Sequence, residues 1–377
     1  MLLLSGPNLG GNELKYVSEC ITTGWVSSVG AYVDQFEKMS AGFAGTKYAV
    51  ATSSGTTALH ICLVMLGVNE NDLVIAPNIT FIATLNSIKY TGASPVLIDA
   101  NEDDWQMDLS LLETFLSEET EQRENVCYHK KTGKRIPVIM PVHVLGNMGD
   151  MDRLLSVAMQ YNITVVEDST ESLGSYYKGK HAGSFGLLGT FSYNGNKIIT
   201  TGGGGMIVTN DEALAKKAKH LTTQAKSDPF EYIHDEIGYN YRLVNVAAAM
   251  GVAQMEQLPG FLKRKKEIIR FYKNELSGIG DITFQEVNEG VDPNWWMPTI
   301  KTAKQRDVLK ILNDHKMQSR PFWVPMNQLR MFAADIYFHK TDRSDFLYKH
   351  CLSIPCSTNI TENDLKAVCE KIKKIFN

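Results

Sequence analysis

Short apolar runs alternate with amphipathic stretches from about residue 48 to residue 209. The runs are rich in β-branched and aromatic residues and are bounded by turn formers, which predicts strands at 48–52, 73–76, 95–99, 138–142, 164–167, 190–193 and 206–209. Between them, apolar residues spaced three and four apart predict helices at 56–66, 81–90, 109–117, 151–161 and 212–220. This order predicts an α/β domain with helices on both faces of a seven-stranded sheet.

The remaining length predicts a second, smaller domain, because 377 residues exceed what one hydrophobic core usually holds. Pro259-Gly260 follows an apolar stretch at 244–258 and precedes a basic amphipathic run at 261–276. We therefore expect a large domain over 1–258 and a small domain over 259–377. A polar, basic segment at 119–135 contains Lys131-Thr132-Gly133-Lys134, which predicts a turn in a surface insertion without chemistry.

Composition narrows the classes of partner. A formal charge of −4 and a pI near 6.2 give no basic field for nucleic acid. The six cysteines are scattered without zinc-site spacing, so we expect free buried thiols and no metal. The apolar opening Met1-Leu2-Leu3-Leu4 is too short for a signal segment, and no stretch reaches membrane-spanning length. These features predict a cytoplasmic protein without a membrane partner.

Three segments carry candidate chemistry, and each has an ordinary alternative. Ser53-Ser54-Gly55-Thr56-Thr57 follows a strand and opens a helix, which suits a phosphate, although Ser and Thr are also common helix caps. Asp168 ends a strand, where ligands of α/β sheets bind, although many such aspartates are caps. Lys197 precedes the four glycines 202–205, although a loop lysine is usually solvated and glycines also make flexible turns.

The combination is more specific than its parts. Catalysis by pyridoxal 5'-phosphate (PLP) requires a lysine for a Schiff base, an acid at the ring nitrogen and an anion site for the phosphate. The three segments supply these groups. They also follow one another in the order of a PLP enzyme, which favours that class.

The chain resembles the DegT/StrS family of PLP-dependent sugar aminotransferases along nearly its whole length. The matching stretches are 53–60, 76–84, 166–168, 191–197 and 238–243. The resemblance implies the aspartate-aminotransferase-like fold, PLP fold type I. In that fold the large domain holds a mixed, mostly parallel seven-stranded sheet, and the small C-terminal domain is α+β.

The resemblance also implies a role for each matched residue. Lys197 would form the Schiff base and, once released, move the proton as general acid and base. Asp168 would pair with the ring nitrogen, and Phe81 would stack on the ring. Phosphate contacts are implied for Gly55, Thr56 and Ser192 and, from the other subunit of a homodimer, for Asn240. Many members carry Gln or His three residues after the aspartate, facing the phenolic oxygen, whereas this chain has Glu171.

Further stretches indicate the substrate. Residues 10–15, 24–28 and 141–146, with the insertion, resemble the LegC-type subgroup of bacillosamine and legionaminic acid pathways. This implies glutamate as donor, UDP-4-keto-6-deoxy-N-acetylglucosamine as acceptor and a place in glycan biosynthesis. Candidate substrate contacts are Trp25, Ser27, Arg320 and Trp323. A guanidinium suits a diphosphate or carboxylate, but a surface ion pair is an equal alternative for Arg320, and core packing accounts for most such tryptophans.

Other functions stay open at this point. The acceptor could be a GDP- or dTDP-linked sugar with a 3- or 4-keto group. A sugar dehydratase shares the fold, but in the family's dehydratases histidine replaces the lysine found here at Lys197. A regulatory or binding protein could keep the fold without the chemistry. His143 and His181 are expected to be structural histidines with satisfied hydrogen bonds.

Overall fold

The computed structural model describes residues 1–228 and 230–376. Its α-helices are α1 (Glu13–Thr23), α2 (Ala31–Ala44), α3 (Gly55–Met65), α4 (Ala83–Tyr90), α5 (Leu109–Glu119), α6 (Met151–Gln160), α7 (Glu212–Thr222), α8 (Asn245–Leu276), α9 (Gln305–Asp314), α10 (Arg343–His350) and α11 (Glu362–Lys373). Its strands are β1 (Tyr48–Thr52), β2 (Asp72–Pro77), β3 (Ser94–Ile98), β4 (Thr120–Arg123), β5 (Val126–His129), β6 (Arg135–Ile139), β7 (Thr164–Asp168), β8 (Tyr176–Tyr177), β9 (Lys180–His181), β10 (Leu188–Ser192), β11 (Gly205–Thr209), β12 (Lys226–Asp228), β13 (Ile233–His234), β14 (Thr283–Phe284), β15 (Val291–Asp292), β16 (Thr299–Lys301), β17 (Arg320–Pro321), β18 (Ile336–Phe338) and β19 (Cys351–Ser353).

The central sheet has the order β1-β11-β10-β7-β6-β2-β3-β18. Strand β11 is antiparallel to both of its neighbours, and the remaining neighbours along this path are parallel. This confirms the predicted mixed, mostly parallel sheet of seven strands. The structure adds β18, which returns from the C-terminal part of the chain to pair with β3.

The insertion forms a hairpin of β4 and β5 that joins the edge of β6. The turn at 131–134 is present, and the amide of His129 donates to the carbonyl of Lys134 at 2.9 Å. Strand β6 begins three residues before the predicted 138–142 because β5 pairs with Arg135. The strand also ends earlier than predicted, just before Met140 and Pro141.

All five predicted helices of this region are present, and side-chain caps mark where several begin. The carboxylates of Asp108, Asp150 and Asp211 accept hydrogen bonds from the first turns of α5, α6 and α7. Such caps satisfy amides that a helix leaves without an internal partner.

Helix α8 is continuous across Pro259-Gly260, the place at which the sequence predicts the boundary between the two domains. Both residues are exposed, while the buried face of the helix continues through Leu258, Phe261 and Lys265. Packing along that face holds the helix together despite the amide that proline lacks. The division into domains at residue 258 stays a prediction.

The C-terminal part is α+β. Strands β14, β16, β19 and β17 form an antiparallel sheet that packs with α9, α11 and the end of α8. The N-terminal segment joins this part, since Leu2 bridges to Met317 and the amide of Cys356 donates to the carbonyl of Leu4 at 2.7 Å.

The six cysteines are all buried and free, as expected. Within residues 1–228 and 230–376, we find no helix that is both long enough and apolar enough to span a bilayer.

Candidate active site

A cavity of about 390 Å³ brings together residues that are distant in the sequence. The start of α3, the loop after β10 and the residues around β17 all contribute to its wall. Predicted site residues that line it are Gly55, Thr56, Phe81, Ser192, Lys197, Arg320 and Trp323. A cavity of this size is in the range of small-molecule sites.

The amino end of α3 forms a cup at one wall. The hydroxyl of Ser54 accepts from the amide of Thr57 at 3.1 Å, so the capping role considered for this segment is real. The cap leaves the amides of Gly55 and Thr56 as the first donors of the helix. A Cβ on Gly55 would lie 3.0 Å from Cβ of Ser192, so glycine keeps the cup open. Such a cup suits a phosphate.

Asp168 is held at the end of β7 by hydrogen bonds to both carboxylate oxygens. Oδ2 accepts from the hydroxyl of Thr84 at 2.7 Å, and Oδ1 accepts from the amide of Thr170 at 3.2 Å. Its side chain is buried. Fixed donors orient the carboxylate, and a buried carboxylate favours a cationic partner.

Lys197 and Glu171 form a buried pair beside the cavity. Nζ of Lys197 lies 3.9 Å from Oε1 of Glu171, and Oε2 of Glu171 accepts from the amide of Leu145 at 2.8 Å. Burial raises the pKa of Glu171 to about 7, although the nearby Lys197 opposes the shift. Burial lowers the pKa of Lys197, and Glu171 and Asp168 oppose that change. Burial therefore shifts the pKa values of the two groups toward each other, as is common for groups in active sites.

Glu167 and His143 form a second buried pair, whose hydrogen bonds lie inside the protein. Nε2 of His143 lies 2.9 Å from Oε2 of Glu167, which also accepts from the amide of Gly183 at 2.8 Å. His181 accepts from the amide of Gly174 at 2.8 Å and is buried. Both histidines are thus satisfied inside the protein, as expected.

The glycine run allows close approach of backbone to backbone. A Cβ on Gly205 would lie 2.2 Å from the carbonyl oxygen of Ser54, whereas one on Gly203 would meet nothing within 4 Å. Gly202 has a φ of 80°, which favours glycine. The run therefore brings β11 against the cup that begins α3.

Trp25, Ser27 and Asn240 lie outside this cavity of the single chain. Trp25 is 57% exposed and lines a separate cavity beside α1 and α2. Asn240 is exposed, and its backbone bridges to Thr223. These three expected site residues are not brought together with Lys197 within one subunit.

The structure adds residues to which we had assigned no role. Thr84 fixes Asp168, and Leu145 presents its amide to Glu171 with a φ of 60°, which is uncommon for leucine. Trp296 lines the cavity, with the centroid of its ring 4.0 Å from Nζ of Lys197. Trp295 and Trp296 are adjacent in the sequence, and core packing accounts for most such tryptophans.

The described residues fit PLP. The cup of α3 supplies amide donors and, through Gly55, the space that a phosphate needs. The buried Asp168 supplies a carboxylate for a protonated ring nitrogen, and Lys197 supplies an amine that lines the cavity. This set of donors matches the three requirements of the cofactor.

Comparison with known proteins agrees with this assignment. The profile of the DegT/DnrJ/EryC1/StrS aminotransferase family matches residues 7–373. GDP-perosamine synthase of Escherichia coli O157:H7 is 36% identical over 374 residues, which are 98% of this chain and 97% of that protein. GDP-perosamine synthase of Caulobacter vibrioides is 36% identical over 383 residues, which are 99% and 98% of the two chains.

The fold agrees as well. The crystal structure of a DegT DnrJ EryC1 StrS aminotransferase from Brucella abortus has a TM-score of 0.89 at 23% identity and covers 97% of this chain and 95% of that chain. The family match spans the segments that hold the cup, Asp168 and Lys197. The chain belongs to the DegT/DnrJ/EryC1/StrS aminotransferase family and is a PLP-dependent sugar aminotransferase.

Proposed function

We propose that this enzyme transfers the amino group of glutamate to the ketone of a nucleotide-linked sugar, UDP-4-keto-6-deoxy-N-acetylglucosamine. The observation that carries the chemistry is the amine of Lys197 in the cavity, 3.9 Å from Glu171, with Asp168 buried nearby. The choice of sugar is supported by the subgroup resemblance of residues 10–15, 24–28 and 141–146.

Each residue of the cavity has a distinct task in this proposal. PLP, when bound, supplies an electron sink for the substrate carbon that carries the amino group. Gly55, Thr56 and Ser192 hold the phosphate. Asp168, oriented by Thr84, holds the proton on the ring nitrogen. A charge-assisted hydrogen bond of this kind contributes about 1.5–3 kcal/mol.

Lys197 is the group that moves the proton. Burial lowers its pKa, which favours the unprotonated amine that accepts a proton from the substrate carbon. Glu171 lies close enough to stabilise the resulting ammonium. Its own raised pKa allows Glu171 to be neutral or charged near neutral pH.

The open side of the cavity is assigned to the substrate. Phe81 is 52% exposed at this wall and offers a flat face for the ring of the cofactor. Arg320 and Trp323 belong to the C-terminal residues that line the same cavity. A guanidinium suits the diphosphate of the nucleotide or the carboxylate of glutamate.

The proposal includes a homodimer with shared sites. Asn240, Trp25 and Ser27 lie outside the cavity of their own chain, and Asn245 ties Trp25 and Ser27 to the start of helix α8. Its Nδ2 donates to the carbonyl of Trp25 at 2.7 Å, and its amide donates to the carbonyl of Ser27 at 2.5 Å. We propose that this region completes the site of the other subunit, as the resemblance at 238–243 implies.

A GDP-linked keto-sugar is the second candidate acceptor. The names of the relatives from Escherichia coli and Caulobacter vibrioides favour it, since both are GDP-perosamine synthases that are 36% identical to this chain. Identity at this level supports the class of reaction more strongly than the choice of nucleotide.

Incubation with glutamate carrying heavy nitrogen and a panel of UDP-, GDP- and dTDP-linked keto-sugars separates these candidates. We expect the label in the UDP-4-keto-6-deoxy-N-acetylglucosamine product, detected by mass, and none with Lys197→Ala. A labelled product from the GDP-linked sugar alone would select the second candidate. No labelled sugar from any nucleotide, despite full occupancy by PLP, would overturn the proposed reaction.

A further inference from the structure

The side chain of Trp296 faces the reactive amine. Its ring centroid lies 4.0 Å from Nζ of Lys197, and the tryptophan is only 3% exposed. An ammonium at this distance over an indole is attracted to the electron-rich face, and the attraction strengthens when water is excluded.

Hydrogen bonds from the indole and from the backbone hold Trp296 in this position. Its Nε1 donates to the carbonyl of Asn196 at 2.7 Å, next to Lys197 in the chain. Its backbone amide donates to Oδ1 of Asn294 at 2.8 Å, and its carbonyl accepts from the buried ammonium of Lys265 at 2.8 Å. The indole is therefore attached to the loop that carries Lys197, and the backbone of Trp296 is attached to helix α8.

We propose that Trp296 holds the free side chain of Lys197 and stabilises its protonated form through the face of the indole ring. The inference rests on the proposed function for its role in turnover, since Lys197 moves the substrate proton only while its amine is free. Trp296 thereby becomes a residue that contacts the reacting amine.

Several charged groups near Nζ of Lys197 also influence the pKa of this amine. Glu171 lies 3.9 Å from Nζ, Asp168 also favours the ammonium, and Arg320 contributes a positive charge to the same cavity. Burial lowers the pKa of Lys197 despite the two carboxylates. The indole opposes the effect of burial on the pKa of Lys197. It favours the ammonium form, as the two carboxylates do, but carries no charge of its own.

The sign of one measurement separates this role from simple packing. Replacing Trp296 by leucine removes the aromatic face, which should lower the pKa of Lys197. If Trp296 merely filled space, the smaller leucine would admit water, and reduced desolvation would raise that pKa or leave it unchanged.

The experiment uses the full chain with PLP removed, so its result does not depend on any sugar substrate. Only unprotonated amines react with acetic anhydride, so competitive labelling over a range of pH followed by peptide mass mapping gives the pKa of Lys197. For Trp296→Leu we expect a fall of about one pH unit, and for Trp296→Phe a smaller fall, since indole binds cations more strongly than phenyl does.

The neighbouring Trp295 provides a matched control. Its ring lies 4.5 Å from Nζ of Lys273, outside the cavity, so Trp295→Leu should leave the labelling of Lys197 unchanged. An unchanged or raised pKa of Lys197 in folded Trp296→Phe and Trp296→Leu would overturn the proposal. If no keto-sugar is aminated but the pKa of Lys197 falls, the proposed function fails while the contact with Trp296 stands.

Discussion

The pKa of the Glu171 carboxyl group is set by two opposing effects, burial and the neighbouring amine of Lys197. Its position was predicted as a departure from the commonest family pattern, and the structure places it 3.9 Å from Lys197. Burial raises its pKa to about 7, above the ordinary value of 4.5. The folded protein therefore binds a proton that the unfolded chain has already lost between about pH 5 and pH 7.

This difference predicts how the stability of Glu171→Gln depends on pH. In the cofactor-free wild type, the Glu171 carboxyl makes the free energy of unfolding fall as pH rises from 5 to 7, because the folded state holds the extra proton. Glutamine cannot titrate, so the variant should gain on the order of 1–3 kcal/mol relative to wild type over that range. Urea denaturation at several pH values measures this gain.

The exposed carboxyl of Glu118 supplies the control, and Glu118→Gln should run parallel to wild type. A stability difference between Glu171→Gln and wild type that does not change between pH 5 and pH 7 would mean that Glu171 is not titrating there.

The residues of the site were predictable to different degrees. Lys197, Asp168 and Gly55 belong to contiguous motifs that could be recognised in the sequence, and Gly55 and Lys197 line one cavity. Trp296 and Thr84 act through contacts that depend on how distant segments pack. No spacing along the chain indicates that residue 296 meets residue 197, so this part of the site required the structure.

At the scale of elements, helix α8 shows how packing overrides a local signal. Pro259-Gly260 is a strong turn signal, yet the buried face of α8 continues through it. Helices α1 and α2 were not among the predicted elements. In α1 the buried residues are Glu13 and Cys20 while Leu14 and Ile21 are exposed, so the apolar pattern does not mark the buried face.

Two glycines of α8 give a matched test of this helix. A Cβ on Gly260 would meet nothing within 4 Å, whereas a Cβ on Gly251 would lie 2.8 Å from the ring of Phe36 and 2.9 Å from Cγ2 of Thr201. Gly260→Ala should therefore stabilise the protein by about 0.5–1 kcal/mol, because alanine loses less backbone entropy in a helix. Gly251→Ala should destabilise it by about 1–3 kcal/mol through overpacking.

Thermal and urea unfolding of both variants measure the two effects. Equal stabilities for the two alanine variants would contradict the close packing of α8 against α2 and the glycine-rich loop. The packing at Gly251 also bears on the active site, because Thr201, which lies close to Gly251, belongs to the loop that follows Lys197.

At the scale of the whole molecule, the central question is whether two chains share each active site.

The central sheet could be predicted in part from the sequence. Seven strands and their mixed arrangement were expected, but β18 returns to that sheet from the C-terminal part. A strand of three residues carries too little periodicity to predict such a return. The dimer likewise stays a prediction.

Complementation between two inactive chains tests the shared site. Lys197→Ala and Asn240→Ala chains, unfolded together and reassembled, should form mixed dimers with one site intact and one lacking both residues. Random pairing of equal amounts makes half of the dimers mixed, so activity should approach roughly one quarter of wild type if the sites act independently. The parent variants, refolded separately, are the controls.

Mixed dimers that are proven by mass spectrometry but show no recovered activity would place Asn240 in its own subunit's site or in none. Recovery would support the shared site and, with it, the assignment of residues 238–243 to the interface.

Borohydride reduction of the purified enzyme, followed by peptide mapping, tests most directly whether Lys197 is the centre of the chemistry. Reduction makes the bond between PLP and its lysine permanent, so the modified peptide identifies the residue. We predict the mass of the cofactor on the peptide that contains Lys197 and its loss in Lys197→Ala. Cofactor on another lysine, such as the buried Lys265, would contradict the assignment of the active site.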